Sequence, residues 1–216
     1  FSRRISQFLV RNKYWKEKIL FDFLVTNPTG YDGVSLFSAS HPHGPAAANQ
    51  SNTTTSAMSI STLDSAIQAM TSLRDEKSEP LSLSPSLLVV GPKLLKNALE
   101  FTGSERIQGI TAAGLTDPTG SGVAAARVPN LYFGGRLEVL MWPRLVGTYD
   151  DYWYVVDGNA DAKAMLLYEG RDVEPVVQTA LEGEHRFNKD EYRWSLESDH
   201  VPGAGAWQTI YGGLVS

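Results

Sequence analysis

Two of the chain's four histidines, His41 and His43, lie on either side of Pro42. Imidazole nitrogens bind transition metals and act as general bases, so this spacing raises the hypothesis of a metal or catalytic site. In an extended segment, however, side chains two positions apart point to opposite sides, so one metal ion would need further ligands. His185 and His200 are isolated, and the HExxH spacing is absent. The pair is therefore interpreted as structural, with His41 and Pro42 shaping the entry of a loop over residues 35–59.

Two further motifs resemble known sites. The stretch GSGVAA, residues 120–125, fits a loose pyrophosphate-loop pattern with Glu138 as the ribose-binding acid, but no strand precedes it and Pro129 cuts it short. A loop is the favoured interpretation. The stretch DGNADA, which begins at Asp157, alternates oxygen ligands like a calcium loop, yet Tyr168 stands where the bidentate glutamate belongs. Because Asp-Gly is a strong hairpin signal, it is interpreted as a turn between two strands.

Composition gives little support for catalysis. The chain has no cysteine and no GxSxG or Walker motif, so no catalytic, cofactor-binding or metal-binding residue is assigned and no cofactor is expected. The acids at 182, 184, 190 and 191 are typical of a solvated turn. A net charge of −5 without a block of like charges disfavours a nucleic-acid groove or an anionic membrane as the main partner.

Two other functions remain as alternatives. A metal-dependent hydrolase would combine His41 and His43 with Asp32 or a later histidine. A carbohydrate-binding or ligand-binding β-rich module would use the aromatic strands between Tyr132 and Trp207.

The elements that must position these residues begin with helices. Residues 5–23 carry apolar side chains at helical spacing, and the helix is expected to end near Asn27-Pro28, because the residue before proline disfavours the helical conformation. The apolar positions are Ile5, Phe8, Leu9, Trp15, Ile19, Leu20 and Phe23. Ser61 with Asp64 resembles a capping box, which predicts a second helix to about Arg74, with an exit turn at 76–80.

Strands dominate the rest of the chain. The stretch LSLSPSLLVV predicts a strand, followed by a short helix over 93–101 closed by Gly103, and residues 104–130 predict a long exposed excursion. Later strands are predicted at GRLEVLM, DYWYVV, AMLLYE, PVVQTA, EYRWSLES and GAWQTIYG. Helices early and strands late favour an α+β fold.

One long stretch resembles a known family. The segment FDFLVTNPTGYDGVSLFSASHP follows an amphipathic helix and is similar to Mu-like tailed-phage major head subunits, in which a Gly-x-x-Leu-Phe-x-x-x-His-Pro pattern recurs. Here that pattern is formed by Gly33, Leu36, Phe37, His41 and Pro42. The stretch STLDSAIQAMTSLRDEKSEPLSLSPSLLVVGPKLLKNALEF and the ending AWQTIYGG are also similar, so the resemblance covers most of the chain.

The resemblance implies the tailed-phage major capsid fold of the Hong Kong ninety-seven type, with a spine helix, a peripheral P domain and an axial A domain. It implies that residues 1–101 form the first part of the P domain, 102–174 the A domain and 175–216 the second part of the P domain. In that family an N-terminal arm and an E-loop precede the spine helix. Because the sequence opens on Phe1, it is expected to begin downstream of its gene's start, with both segments removed or outside it.

The implied function is that of a structural, non-enzymatic major capsid protein that self-assembles into an icosahedral phage head around double-stranded DNA. Its implied partners are copies of itself in hexamers and pentamers, portal, scaffold or decoration proteins, and packaged DNA by proximity, with no membrane. The implied location is the virion, and the host cytoplasm during assembly. Large aromatics are candidate subunit-interface anchors, with core packing as the alternative for each: Trp142, Trp153, Tyr154, Trp194 and Trp207.

Overall fold

The structure is a computed structural model that describes residues 2–42, 49–103, 106–108, 127–129, 136–178 and 193–215. His43, His185, the motif at 120–125 and the acids at 182–191 lie outside these residues. The described helices are α1 Ser2–Val25, α2 Ile60–Thr71 and α3 Leu95–Gly103, with 3-10 turns at Gly147–Tyr149 and Trp207–Thr209. The strands are β1 Thr53–Thr54, β2 Leu87–Val90, β3 Arg106–Gln108, β4 Arg127–Pro129, β5 Glu138–Met141, β6 Trp153–Val156, β7 Met165–Gln178, β8 Arg193–Ala204 and β9 Ile210–Gly213. This mixture of helix and sheet agrees with the α+β prediction.

The chain divides into two compact units. The helix–hairpin unit comprises Phe1–Pro28 and Met165–Ala204, and the sheet unit comprises Thr29–Ala164 and Gly205–Ser216. The two units differ in architecture: one is built around a five-stranded sheet and the other around a two-stranded hairpin.

The sheet unit is organised around a mixed sheet with the strand order β1-β9-β6-β2-β5. Strand β6 pairs antiparallel with β2 and β9, whereas β5 is parallel to β2 and β1 is parallel to β9. Helix α2 packs against β6 and β9, and α3 packs against β2 and β5. The apolar core between helices and sheet is formed by Met58, Leu63, Ala66, Met70, Leu88, Val90, Leu94, Ala98, Leu137, Trp153, Val155 and Tyr211.

Two glycines on β9 let large rings approach its backbone. A Cβ on Gly212 would lie 2.7 Å from Cδ1 of Phe37, and a Cβ on Gly213 would overlap the indole ring of Trp153. Real side chains do not tolerate such distances, so these positions require glycine for close packing.

Several predicted boundaries in the sheet unit are corrected. Helix α2 is capped by Ser59 in a reciprocal capping box with Thr62, so the predicted box of Ser61 and Asp64 was wrong, and the helix ends three residues before Arg74. The strand predicted from LSLSPSLLVV is confined to β2, since Pro85 has no N–H to donate. The stretch GAWQTIYG contains a 3-10 turn before β9.

The excursion predicted over 104–130 contains structure at both ends. Residues Arg106–Gln108 pair antiparallel with Arg127–Pro129, so β3 and β4 form a two-stranded ladder. The prediction of a long exposed excursion did not include this ladder.

The helix–hairpin unit consists of α1 packed against both strands of the β7–β8 hairpin. Helix α1 ends where predicted: Asn27 adopts a left-handed φ of 50°, its N–H donates to the Leu24 carbonyl at 3.1 Å, and Pro28 follows. The two strands predicted from AMLLYE and PVVQTA are one strand, β7, because register shifts at Glu169–Arg171 and Arg171–Glu174 absorb the irregular residues between them.

Candidate functional site

The predicted His41 site is a buried cluster in the sheet unit. The His41 side chain is inaccessible to solvent, and its ring stacks on Trp207 with centroids 3.8 Å apart and an interplanar angle of 4°. Nδ1 lies 2.7 Å from Oδ2 of Asp32, and Nε2 lies 3.1 Å from Oδ1 of Asn52. The His41 backbone also forms an antiparallel bridge with Gln50. His41 therefore holds three separate stretches of the chain together.

Asn52 is the residue of this cluster that the sequence did not reveal. Its amide nitrogen donates to the carbonyls of Leu36 at 2.7 Å, Trp207 at 3.2 Å and Ile210 at 3.3 Å. Its amide oxygen accepts from the Ser38 N–H at 3.0 Å as well as facing His41. Nothing in a polar stretch of Asn, Ser and Thr marks one asparagine as buried, because its partners come from distant positions.

The chemistry open to His41 follows from these contacts. Since three carbonyls fix the Asn52 amide nitrogen, its oxygen must accept, and Nε2 of His41 must carry the donated proton. Nδ1 faces the Asp32 carboxylate, whose other oxygen accepts the Val34 N–H at 3.1 Å. The structure thus brings together His41 and Asp32, which the hydrolase alternative requires. Both ring nitrogens are engaged, however, so His41 has no lone pair directed at a metal or substrate.

The predicted calcium-like stretch is a turn closed by its own lysine. Oδ1 of Asp157 accepts the N–H groups of Asn159 and Ala160, and Oδ2 accepts the Ser84 N–H at 2.8 Å. The Lys163 ammonium donates to the carbonyls of Gly158 at 2.9 Å and Ala160 at 2.7 Å. The turn connects β6 to β7, but these strands are not paired with each other, so the hairpin implied by Asp-Gly was wrong. The Asp157 carboxylate and the carbonyls of Gly158 and Ala160 thus already accept hydrogen bonds within the turn.

A cleft of about 700 Å³ lies beside this turn, with Tyr31, Ser82, Asp157, Asp161 and Gln208 in its wall. The Tyr31 hydroxyl accepts a hydrogen bond from the Gln208 side chain at 2.6 Å. Within the described residues, no group of three His, Asp or Glu side chains is placed to hold a metal ion. The described residues of the cleft therefore do not form the metal centre that the hydrolase alternative requires.

The predicted interface aromatics occupy different environments. Trp153, Tyr154 and Trp207 are 0%, 1% and 3% exposed and fill the interior of the sheet unit. Burial raises the pKa of Tyr154, with smaller contributions from Tyr152 and Tyr149. Trp142 is partly exposed, and the side chain of Trp194 on β8 lies outside the described ones.

Apolar side chains are instead exposed on the hairpin. Leu166, Tyr168 and Val201 are 54%, 70% and 60% exposed, and the ladder places Tyr168 directly opposite Val201. A signal for this face exists in the sequence: residues 165–168 are all apolar, and such a run puts apolar side chains on both faces of a strand. Contiguous exposed apolar residues are typical of interaction surfaces.

A family model described as phage capsid protein matches residues 15–212. The chain is a member of this phage capsid protein family. The match includes almost all of the sheet unit, and all of the helix–hairpin unit except residues 1–14. No curated protein and no solved structure shows significant similarity to the chain.

Membership in a phage capsid family makes the chain a structural, non-enzymatic component of the virion. A capsid protein acts through the surfaces that it presents to its neighbours, so the exposed hairpin face is the candidate functional site and the His41 cluster is a buried structural element. No described helix has the length and apolarity that a membrane crossing requires.

Proposed function

We propose that this capsid protein is a major head subunit of the Mu-like, Hong Kong ninety-seven type, which self-assembles into an icosahedral shell around double-stranded DNA. The observation that carries the proposal is the family match over residues 15–212. The exposed apolar face at Leu166, Tyr168 and Val201 supports it, because a shell subunit needs surfaces that are completed by copies of itself.

The P and A domains of that fold are proposed to follow the two units. Helix α1 would be the spine helix, so the helix–hairpin unit, 1–28 and 165–204, would be the P domain and the sheet unit would be the A domain. The boundaries expected from chain position, at 101 and 174, would divide the central sheet, because β2 and β9 would belong to one domain and β5 and β6 to the other. Hydrogen-bonded strands of one sheet belong to one domain, which favours the revised boundaries.

The proposed partners are those that a subunit of such a shell contacts. Copies of the chain would form its hexamers and pentamers, with portal, scaffold or decoration proteins at defined places and DNA in contact through proximity. Among the interface anchors suggested by the sequence, Trp142 remains a candidate on exposure and Trp194 remains a candidate by position, while the buried aromatics would act indirectly by supporting the surface. Assembly would take place in the host cytoplasm, and the product is the virion.

The proposal is tested with protein expressed from its full open reading frame. Electron microscopy and light-scattering mass are expected to show closed shells of uniform diameter. A monodisperse particle with the mass of one or a few chains at high concentration would reject the proposed function.

A further inference from the structure

The helix–hairpin unit has two layers, and each layer has an inner and an outer face. The inner faces meet through Lys16 of α1, whose ammonium lies 2.7 Å from the Glu169 carboxylate on β7. Phe21 and Leu24 of α1 are buried. Because strand side chains alternate, the hairpin face that carries Glu169 is the one turned towards α1, and the face that carries Leu166 and Tyr168 is turned away.

The outer hairpin face is apolar in the middle and acidic at one end. Leu166 and Tyr168 lie two positions apart on β7, and Val201 lies opposite Tyr168 on β8. Beyond them, Glu197 and Asp199 are exposed, and both approach Arg171 of the same hairpin, with N–O distances of 3.2 and 3.9 Å. The charged side chains described on this face, Arg171, Glu197 and Asp199, give it a net charge of −1.

The outer face of α1 has the opposite charge and one large aromatic. Arg11, Trp15, Lys18 and Asp22 are all exposed and recur at helical spacing, so they form one stripe along the helix. The Trp15 side chain is 54% exposed, although its spacing predicted a place on the apolar face, and the Lys18 ammonium lies 5.8 Å from its ring centroid. Lys18 also pairs with Asp22. The stripe contains two basic residues, Arg11 and Lys18, and one acidic residue, Asp22, a net charge of +1.

The two outer faces match in length as well as in charge. The stripe from Arg11 to Asp22 is about 16 Å long at the rise of an α-helix. The hairpin face from Leu166 to Arg171 is about 17 Å long at the rise of a strand. Each face joins an exposed aromatic side chain to charged groups, and aromatic residues flanked by complementary charge are typical of specific protein contacts.

We propose that the outer face of α1 in one copy of the chain docks on the outer face of the β7–β8 hairpin in a second copy, with Trp15 against Leu166, Tyr168 and Val201 and Lys18 near Asp199. This inference rests on the proposed function and names one of its subunit contacts. A second copy is the occupant because every copy carries both faces. They point away from each other within one copy, so the contact is head-to-tail and leaves a free face at each end of a pair. Such a contact continues until a ring closes, as a shell requires.

A charge exchange tests the pairing in the full chain. Lys18→Glu and Asp199→Lys are each expected to raise the protein concentration needed for shell formation at least tenfold, and the double variant is expected to recover most of that loss. Leu99→Ser changes an exposed apolar residue of α3 in the other unit and is the matched control. Far-UV circular dichroism and thermal unfolding check that each variant is folded.

A disulfide provides a second test that does not depend on stability. Because residues 1–216 contain no cysteine, Lys18→Cys combined with Asp199→Cys introduces a pair of thiols at two positions that the proposed contact brings together. Under mild oxidation of assembled protein, this variant is expected to give a ladder of covalent oligomers on a non-reducing gel. The single-cysteine variants and a Leu99→Cys, Asp199→Cys control are expected to give no ladder.

The outcomes separate the inference from the proposed function. Wild-type shells together with normal assembly of the charge variants, or with no ladder from the cysteine pair, would overturn the inference and leave the capsid function intact. Loss of assembly in both single variants without recovery in the double variant would show that the two faces have other partners, which also overturns the pairing. A wild-type protein that never forms shells would reject the proposed function and the inference with it.

Discussion

The sheet unit and the helix–hairpin unit bury their apolar side chains in different ways. The sheet unit packs α2 and α3 on a five-stranded sheet and buries Trp153 and Leu88 completely. In the helix–hairpin unit, one helix covers one side of two strands, and among its described side chains Phe21 and Leu24 are the buried apolar ones. A two-stranded hairpin is marginally stable by itself, so its second face gains stability when a neighbour covers it. We therefore expect the sheet unit to determine the stability of the subunit and the helix–hairpin unit to determine its assembly.

The largest effect on subunit stability is expected in the core of the sheet unit. Trp153→Ala removes a fully buried indole and should lower the free energy of unfolding by about 3–5 kcal/mol. Urea denaturation of the unassembled subunit, followed by circular dichroism, measures the change. Leu99→Ala is the exposed control and should cost less than about 0.5 kcal/mol. Equal effects of the two substitutions would contradict the assignment of the core.

The next effect concerns the buried polar cluster. Asn52→Ala removes the donor to three buried carbonyls and the acceptor for Nε2 of His41, so it should destabilise the subunit by about 2–4 kcal/mol. The same denaturation measurement applies. Asn49→Ala is the control, because Asn49 is exposed and bonds the Ser40 side chain at 2.6 Å. A cost at Asn52 no larger than that at Asn49 would show that the cluster does not hold the three stretches together.

Two buried tyrosines provide a smaller, matched comparison. Burial raises the pKa of both Tyr154 and Tyr211, but Tyr211 donates to the Thr53 carbonyl at 3.2 Å, whereas the Tyr154 hydroxyl has no partner among the described residues. Tyr211→Phe should therefore cost about 1 kcal/mol, and Tyr154→Phe should be neutral or stabilising by up to ~1 kcal/mol. Unfolding at neutral pH measures both, and the reverse order would contradict the geometry.

The same tyrosines determine the response to alkaline pH. Below the pKa of tyrosine in the unfolded chain, both tyrosines are neutral in the folded and in the unfolded state. Their raised pKa therefore does not change the free energy of unfolding in that range. Stability then falls once the unfolded tyrosines ionise, above about pH 10. Tyr154→Phe should reduce the slope of this decline. An unchanged slope would show that Tyr154 is not shielded from water.

The smallest effect on subunit stability is expected on the outer hairpin face. Tyr168→Ser should change the free energy of unfolding by less than about 0.5 kcal/mol, since this side chain is largely exposed. The same variant should weaken shell formation, measured by light scattering against protein concentration. A large loss of stability with normal assembly would reverse the roles assigned to the two units.

Local rules predicted part of this structure. The end of α1 was predicted from Pro28, because a residue that precedes proline disfavours the helical conformation; the left-handed φ of Asn27 was not predicted. The predicted cap of α2 was placed at Ser61 instead of Ser59 because the two residues have the same side chain. The structure shows that the capping hydroxyl is the one that reaches Thr62. Gly170 and Pro175 interrupt the regular strand pattern, so the sequence predicted two strands where β7 is one. Register shifts in the pairing with β8 accommodate the irregular residues.

The candidate site was harder to predict, because it depends on contacts between distant positions. Tryptophan suits both a core and an interface, so composition could not show that Trp153 is internal whereas Trp15 is external. The buried ring of His41 contacts Asn52 across a loop and stacks on Trp207, which lies far from it in sequence. The outer hairpin face was visible as an apolar run at 165–168, but it required the pairing with β8 to place Val201 beside Tyr168.

Hydrogen exchange of the assembled and unassembled protein, followed by mass spectrometry, tests the division of roles most directly. Amides of β2 and β6 are expected to be protected in both states, because the core of the sheet unit is complete in one copy. Amides near Leu166, Tyr168 and Val201, and those of the α1 stripe, are expected to gain protection on assembly. Protection of the hairpin that is unchanged by assembly, with gains confined to the sheet unit, would contradict the account.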